Sequence, residues 1–304
     1  MVMESLNLIL NGLLRRYRER VPDVGAVIEL MQQKALITKH EDIENDHIAF
    51  RTMGVPQLGI QSFEKIFCHY GYERRDAYHF EGKKLDAFWY APPSPKLPRI
   101  FISELRVKDL SQSVQDIIHS YTNEVTRDPV DELNLNDASA VDEFLHRPLW
   151  RTPTLTDYQT LARESEYASW VIYNRYYLNH FTISIHSLPA PYNTVEQFNS
   201  LLEENGFRLN EAGGKAKTSG DGLLIQSSTV AEMVNAEFDD GNGSTVRYSI
   251  AGSYIEFAER RALPQFQNLP PEQITRCQRR DGFETGNADR IFESTYSEQT
   301  ANDK

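Results

Sequence analysis

His47 and Arg51 stand four residues apart in the stretch Asp46-His47-Ile48-Ala49-Phe50-Arg51-Thr52. Read as a strand, this stretch alternates its side chains between two faces, so His47, Ala49 and Arg51 share one side. An imidazole and a guanidinium on one face combine a metal ligand with a clamp for a carboxylate. A second histidine, His180, opens the stretch NHFTISIH, and a carboxylate, Glu256, sits in SYIEFAER. Two neutral imidazoles and one carboxylate on one side of a divalent ion form a facial triad with open positions, a set that suits non-heme Fe(II). Glu104, in RIFISELRV, is a rival to Glu256, and the residues alone leave the two level. With both glutamates, four protein ligands would instead suit Zn or Ni.

Other candidates fall away on spacing. His186 shares the face of His180 but lies about 20 Å further along an ideal strand, too far to bind the same ion directly. Glu259 alternates to the opposite face from Glu256 and is expected to meet solvent. His40, His69, His79, His119 and His146 occupy no repeated position and read as hydrogen-bonded or surface residues.

These residues need strands to carry them, and the chain supplies two similar sets. Residues 1–40 read as N-terminal helices: Leu6, Leu10, Leu13, Leu14 and Tyr17 fall at helical spacing, as do Val24, Val27, Ile28 and Met31, with Pro22 between. Residues 41–107 form a first module: the His47 strand, an amphipathic helix (Phe63, Ile66, Phe67, Tyr70) ending at Gly71, and strands at 72–80, 85–91 and 99–107. Residues 108–176 read as a helical insert. Residues 177–262 repeat the order: the His180 strand, a helix opened by the capping box Thr194–Gln197, and strands near 207–210, 222–229, 232–238, 245–250 and 253–260. A C-terminal extension spans 263–304. Phe63 precedes Gly71 by 8 residues, as Phe198 precedes Gly206, which marks an internal repeat. The fold class is α+β, a single domain built from paired βαβββ modules.

Composition narrows the function further. The chain has 304 residues and a net charge of −12, which leaves no cationic surplus for general nucleic-acid binding. Two cysteines, Cys68 and Cys277, make no disulfide framework and fit a reducing, cytoplasmic setting. The N-terminus lacks a signal-peptide pattern, and no apolar run reaches the roughly 20 residues of a membrane span.

Paired modules of this order, with concave faces enclosing a cavity, resemble the vicinal-oxygen-chelate (glyoxalase-like) superfamily. More specifically, DHIAFRT, NHFTI, YIEFAERRALP and GFETGNADRIFEST, spread over about residues 40–296, resemble motifs of the 2-oxoadipate dioxygenase/decarboxylase family. The resemblance implies Fe(II) held by His47, His180 and Glu256, and so favours Glu256 over Glu104. It also implies that Arg51 binds an oxo-acid carboxylate. The implied reaction converts 2-oxoadipate and O₂ to 2-hydroxyglutarate and CO₂, a step in lysine breakdown. The implied partners are a small 2-oxo acid and O₂, with neither nucleic acid nor membrane. The chain looks shorter than the long family members, and Ser294 and Thr295 stand as replacements for some of their substrate contacts. Two other readings make separate predictions. A glyoxalase-type lyase, isomerase or hydrolase would use Zn, Ni or Mn, recruit Glu104 and consume no O₂. A binding protein would hold a small molecule without metal.

Overall fold

The computed structural model describes residues 2–301. Two helices come first, α1 (Val2–Arg20) and α2 (Pro22–Gln33), with Pro22 at the first helical turn, where its missing N–H costs nothing. The first module follows: β1 (Asn45–Met53), α3 (Ile60–His69), β2 (Glu73–Phe80), β3 (Leu85–Ala91) and β4 (Arg99–Leu105). The insert holds α4 (Gln112–Thr122), α5 (Ala138–Phe144), α6 (Leu155–Glu164) and α7 (Glu166–Asn174). The second module runs through β5 (His180–Ser184), α8 (Val195–Glu204), β6 (Lys217–Thr218), β7 (Leu224–Ser228), β8 (Met233–Asp239), β9 (Thr245–Ala251) and β10 (Tyr254–Arg260). The C-terminal extension adds α9 (Thr285–Phe292) and α10 (Ser297–Thr300). Among the described residues, no helix is long and apolar enough to cross a membrane.

Eight strands form one sheet in the order β2-β3-β4-β1-β5-β10-β7-β6, while β8 and β9 pair as a separate hairpin. The modules join where β1 runs antiparallel to β5. Each opening strand pairs in parallel with the last strand of its own module, β1 with β4 and β5 with β10. Mixed pairing of this kind places the two opening strands at the middle of the sheet, with a module curling away on each side.

Helices α3 and α8 cover one face of this sheet, and the other face is concave. Phe63 and Phe67 of α3 pack on Phe50 of β1, with ring centroids 4.8 and 5.5 Å apart. Phe198 of α8 packs on Phe257 of β10 at 5.1 Å. Burying such a ring stabilises the fold by roughly 2 kcal/mol. A one-residue slip of β1 would turn Phe50 away from its helix and His47 toward it, so the apolar face also fixes the polar one.

The expected strand near 207–210 is reduced to a single bridge between Leu209 and Thr229, and the short strand lies at β6 instead. Asn210 is the cause: its Oδ1 accepts from the Ala212 N–H, a local turn that leads the chain off the sheet.

Candidate metal centre and anion pocket

Register places the polar residues in rows across the concave face. His47 lies opposite Arg99 on one side and Thr182 on the other, and Thr182 lies opposite Glu256. The next row is Phe101, Ala49, His180 and Tyr254, and the one beyond it pairs Arg51 with Ser103. His47, His180 and Glu256 thus come from three adjacent strands and two modules, and all three are buried. Each offers a ligand atom within 4.8 Å of the others. The two Nε2 atoms are 3.3 Å apart, with Glu256 Oε1 3.5 Å from His47 Nε2 and Oε2 3.1 Å from His180 Nε2.

Outer partners fix which way these groups face. His47 Nδ1 donates to Asp46 Oδ1 at 2.8 Å, and His180 Nδ1 pairs with Asn179 Oδ1 at 3.0 Å. With protons on both Nδ1 atoms, each Nε2 presents a lone pair to the centre of the triad. Gln226 Nε2 donates to Glu256 Oε1 at 2.7 Å, and Asn287 of α9 donates to Gln226 Oε1 at 3.1 Å. Two lone pairs and a carboxylate at these separations repel one another unless a cation lies between them, so the donor set fits a divalent metal. Thr182 Oγ1, 3.1 Å from His47 Nε2, is the remaining polar neighbour in the row.

Charge in the cluster follows the same logic. Burial raises the Glu256 carboxyl, but the two imidazoles outweigh it and hold the group well below the usual carboxylate range. Burial lowers His47, yet Glu256 and Asp46 together raise it above an ordinary histidine. His180 goes the other way, lowered by burial against the pull of Glu256. Asp46 is held ionised, despite burial, by Arg260 and Arg99. Arg260 Nε and Nη2 reach its two oxygens at 2.6 and 2.9 Å, and Arg99 Nη1 adds a contact at 3.2 Å. Asp46 precedes His47 by one residue, so strict alternation would point it to the other face. A β-bulge between Asn45 and His47 breaks the alternation there and allows the two side chains to meet.

Arg51 is 1% exposed and ends the pocket away from the triad. Its Nη1 donates to Thr295 Oγ1 at 2.9 Å and its Nη2 to the Phe292 carbonyl at 3.1 Å. Tyr167 and Trp170 of α7 stand 5.1 and 5.0 Å from the guanidinium, so the helical insert supplies part of its aromatic wall. Phe283, Ala288, Ile291 and Phe292 of the C-terminal extension complete the lining. Phe283 meets the His47 ring edge-on at 4.7 Å.

Three expectations change. Glu104 does not reach the triad: Phe101, not Glu104, occupies the place in β4 that Glu256 holds in β10. Its side chain lies on the helix-covered face, where Oε2 accepts from the Ile60 N–H at 2.7 Å. Glu259 is indeed on the face opposite Glu256, but that face is under α8, and Oε2 accepts from the Val195 N–H at 2.9 Å. Of the two tail residues, Thr295 reaches Arg51, while Ser294 bonds Asn210 and Ser228 instead. His186 stands apart from the triad, its Nδ1 accepting from the Arg260 N–H at 3.2 Å. Sequence reasoning missed Asp46, Asn179, Gln226, Arg260 and Asn287. Only the direct adjacency of Asp46 and Asn179 to the two histidines was there to be noticed.

Comparison with known proteins places the chain in a family and a fold. The profile of the 2-oxoadipate dioxygenase/decarboxylase family matches residues 9–270. The Arabidopsis thaliana protein named 2-oxoadipate dioxygenase/decarboxylase, chloroplastic, is 44% identical over 294 residues, covering 93% of this chain and 75% of that protein. The crystal structure of hydroxyglutarate synthase in complex with 2-oxoadipate from Oryza sativa superposes with a TM-score of 0.88 at 41% identity, over 99% of this chain and 95% of that one. A glyoxalase superfamily protein from Ralstonia eutropha JMP134 shares the fold, with a TM-score of 0.72 at 21% identity over 91% of this chain and 85% of that one.

Proposed function

Because the chain belongs to the 2-oxoadipate dioxygenase/decarboxylase family, we propose that it converts 2-oxoadipate and O₂ to 2-hydroxyglutarate and CO₂, with Fe(II) held by His47, His180 and Glu256. The observation that carries this reading is the convergence of two imidazole lone pairs and one carboxylate at one end of a pocket whose other end holds a buried guanidinium. When bound, the iron supplies coordination for the oxo acid and the redox chemistry that O₂ requires.

The chain's own residues account for selection and orientation. Arg51 lies four residues from His47 along one strand, about 13 Å at the rise of an extended chain. A carboxylate chelated at the triad cannot also rest on Arg51, so the guanidinium suits the carboxylate at the far end of a dicarboxylic acid. Tyr167, Trp170 and Phe292 surround the guanidinium, which lowers the local dielectric and strengthens its attraction for an anion. Phe101, Phe283 and Ile291 line the space between, matching a methylene chain and excluding water from the reacting carbons.

The overall stoichiometry needs no other reductant. Loss of the C1 carboxyl as CO₂ supplies two electrons, and oxidation of a C–H bond next to the former oxo carbon supplies two more. One oxygen atom enters the new carboxylate and the other the new hydroxyl. No protein nucleophile is called for.

The test is oxygen uptake by protein loaded anaerobically with Fe(II), on addition of 2-oxoadipate, with 2-oxoglutarate in parallel. Uptake matched by CO₂ release is the expected result. Stoichiometric iron without uptake on either acid would overturn the proposal.

A further inference from the structure

Tyr254 is the one large polar side chain in the pocket that the account above leaves idle. It is fully buried, and its hydroxyl has no hydrogen-bond partner among the described residues. Arg51 Nε shares that condition. An unpaired buried polar group costs about 1–3 kcal/mol, so these two atoms, with Asn179 Nδ2 beside the triad as a third in the same pocket, mark a place made for a ligand.

Their positions say which part of a ligand. Tyr254 sits beside His180 in the middle row, one row beyond Glu256 on the same face. Its ring stacks on His180 at 4.8 Å and 32°, and its backbone carbonyl accepts from the Tyr17 hydroxyl, so both ends of the residue are held. From there Tyr254 shares the lining of one pocket with Arg51. Arg51 in turn has Nη1 and Nη2 engaged by Thr295 and Phe292, which leaves Nε–H as its unpartnered nitrogen.

We propose that the Tyr254 hydroxyl and Arg51 Nε–H together hold the distal carboxylate of the oxo acid, so that Tyr254 is a specificity-determining residue selecting dicarboxylic over monocarboxylic 2-oxo acids. This rests on the reading of the pocket as an oxo-acid site. The two donors bind one anion from different sides. Arg51 supplies charge, and Tyr254 supplies an oriented hydrogen bond from a ring already fixed against His180. A ligand with a methyl group at that end leaves both donors unpaired, the kind of mismatch that a polar site rejects strongly.

The test uses Tyr254→Phe, which keeps the ring on His180 and deletes an atom with no partner in the protein, so folding and metal content should match wild type. Affinities for 2-oxoadipate and for 2-oxohexanoate, which has the same chain length without the distal carboxylate, are measured by calorimetry on Fe(II)-loaded protein under anaerobic conditions. The expected result is about 10- to 100-fold weaker binding of 2-oxoadipate with 2-oxohexanoate within about twofold, a rise in KM and little change in kcat. Equal weakening of both acids, or unchanged binding of both, overturns the inference. If the variant lost iron, a structural role would explain the residue and the inference would fall. Wild-type oxygen uptake on 2-oxoadipate separates these failures from failure of the proposed function: absence of uptake and binding in wild type removes both.

Discussion

Glu104 and Glu259 are equivalent residues in the two modules. Glu104 lies five positions after Arg99, the partner of His47, and Glu259 lies five positions after Tyr254, the partner of His180. Each carboxylate accepts from the first N–H of the helix that follows its module's opening strand, Ile60 of α3 and Val195 of α8. A negative group at a helix N-terminus satisfies an orphan donor and complements the helix dipole. Glu104→Ala and Glu259→Ala should each lower stability by about 1–2 kcal/mol, as read by urea unfolding, while iron per folded molecule stays at wild-type level. Loss of iron on replacing Glu104 would reinstate it as a ligand.

The triad residues should behave oppositely. His47→Ala, His180→Ala and Glu256→Ala should each lose iron and oxygen uptake together, because two remaining ligands cannot make a facial set. Elemental analysis of the purified variants checks this, and full iron occupancy in all three would refute the assignment.

Arg51→Ala should keep the metal affinity of the wild type and lose substrate. A charge-assisted hydrogen bond is worth roughly 1.5–3 kcal/mol, so KM for the dicarboxylic acid should rise at least tenfold. Arg51→Lys should restore little of it, since an ammonium cannot reproduce the bonds to Thr295 and Phe292. Steady-state kinetics on the two variants decide the matter.

Asp46 reaches the centre only through His47. Asp46→Asn keeps the shape but removes the only carboxylate that ion-pairs with buried Arg260 among the described residues and leaves Arg99 with Asp281 alone. Stability should fall by about 3–5 kcal/mol and iron affinity by about 10–100-fold. Metal titration under native conditions and urea unfolding measure the two effects separately, and a variant with wild-type values in both would show the pair to be dispensable.

His186 gives a pH dependence whose sign is fixed by its surroundings. Burial, with Arg279 next, lowers its pKa from 6.5 to about 3. Between those values the unfolded chain binds a proton that the folded chain refuses, so stability falls as pH drops from 6.5 toward 3. The slope from this one group is at most about 1.4 kcal/mol per pH unit. Urea midpoints for wild type and His186→Asn across that window should converge at low pH, and parallel curves would exclude His186 as the source.

The choice of Glu256 over Glu104 came from the family resemblance, whereas the faces within a single strand were legible because alternation is a local rule. His47 and Arg51 on one face, Phe50 on the other, and the repeated helices all follow from it. What was not legible depends on register between strands, which no local pattern states. Aligning ISEL with YIEF set Glu104 against Glu256. The strand pairing shifts that match by three residues, an odd number, and so exchanges the faces. Asp46 was hidden for a related reason, since a bulge suspends alternation at that residue. Gln226 and Asn287 were hidden because neither residue type signals anything until β7 and α9 are placed beside Glu256.

His47 and His180 are 133 residues apart in sequence and belong to different modules, facing each other across the β1–β5 seam. An ion bound between them is therefore also a clasp, closing a long loop of chain and adding its binding free energy to the adhesion of the two halves. Seam amides in β1 and β5 should then exchange hydrogen more slowly in loaded protein than in the apo form, while those in the outlying β8–β9 hairpin keep their rates. By the same coupling, a chelator would loosen the joint between modules before either module unfolds.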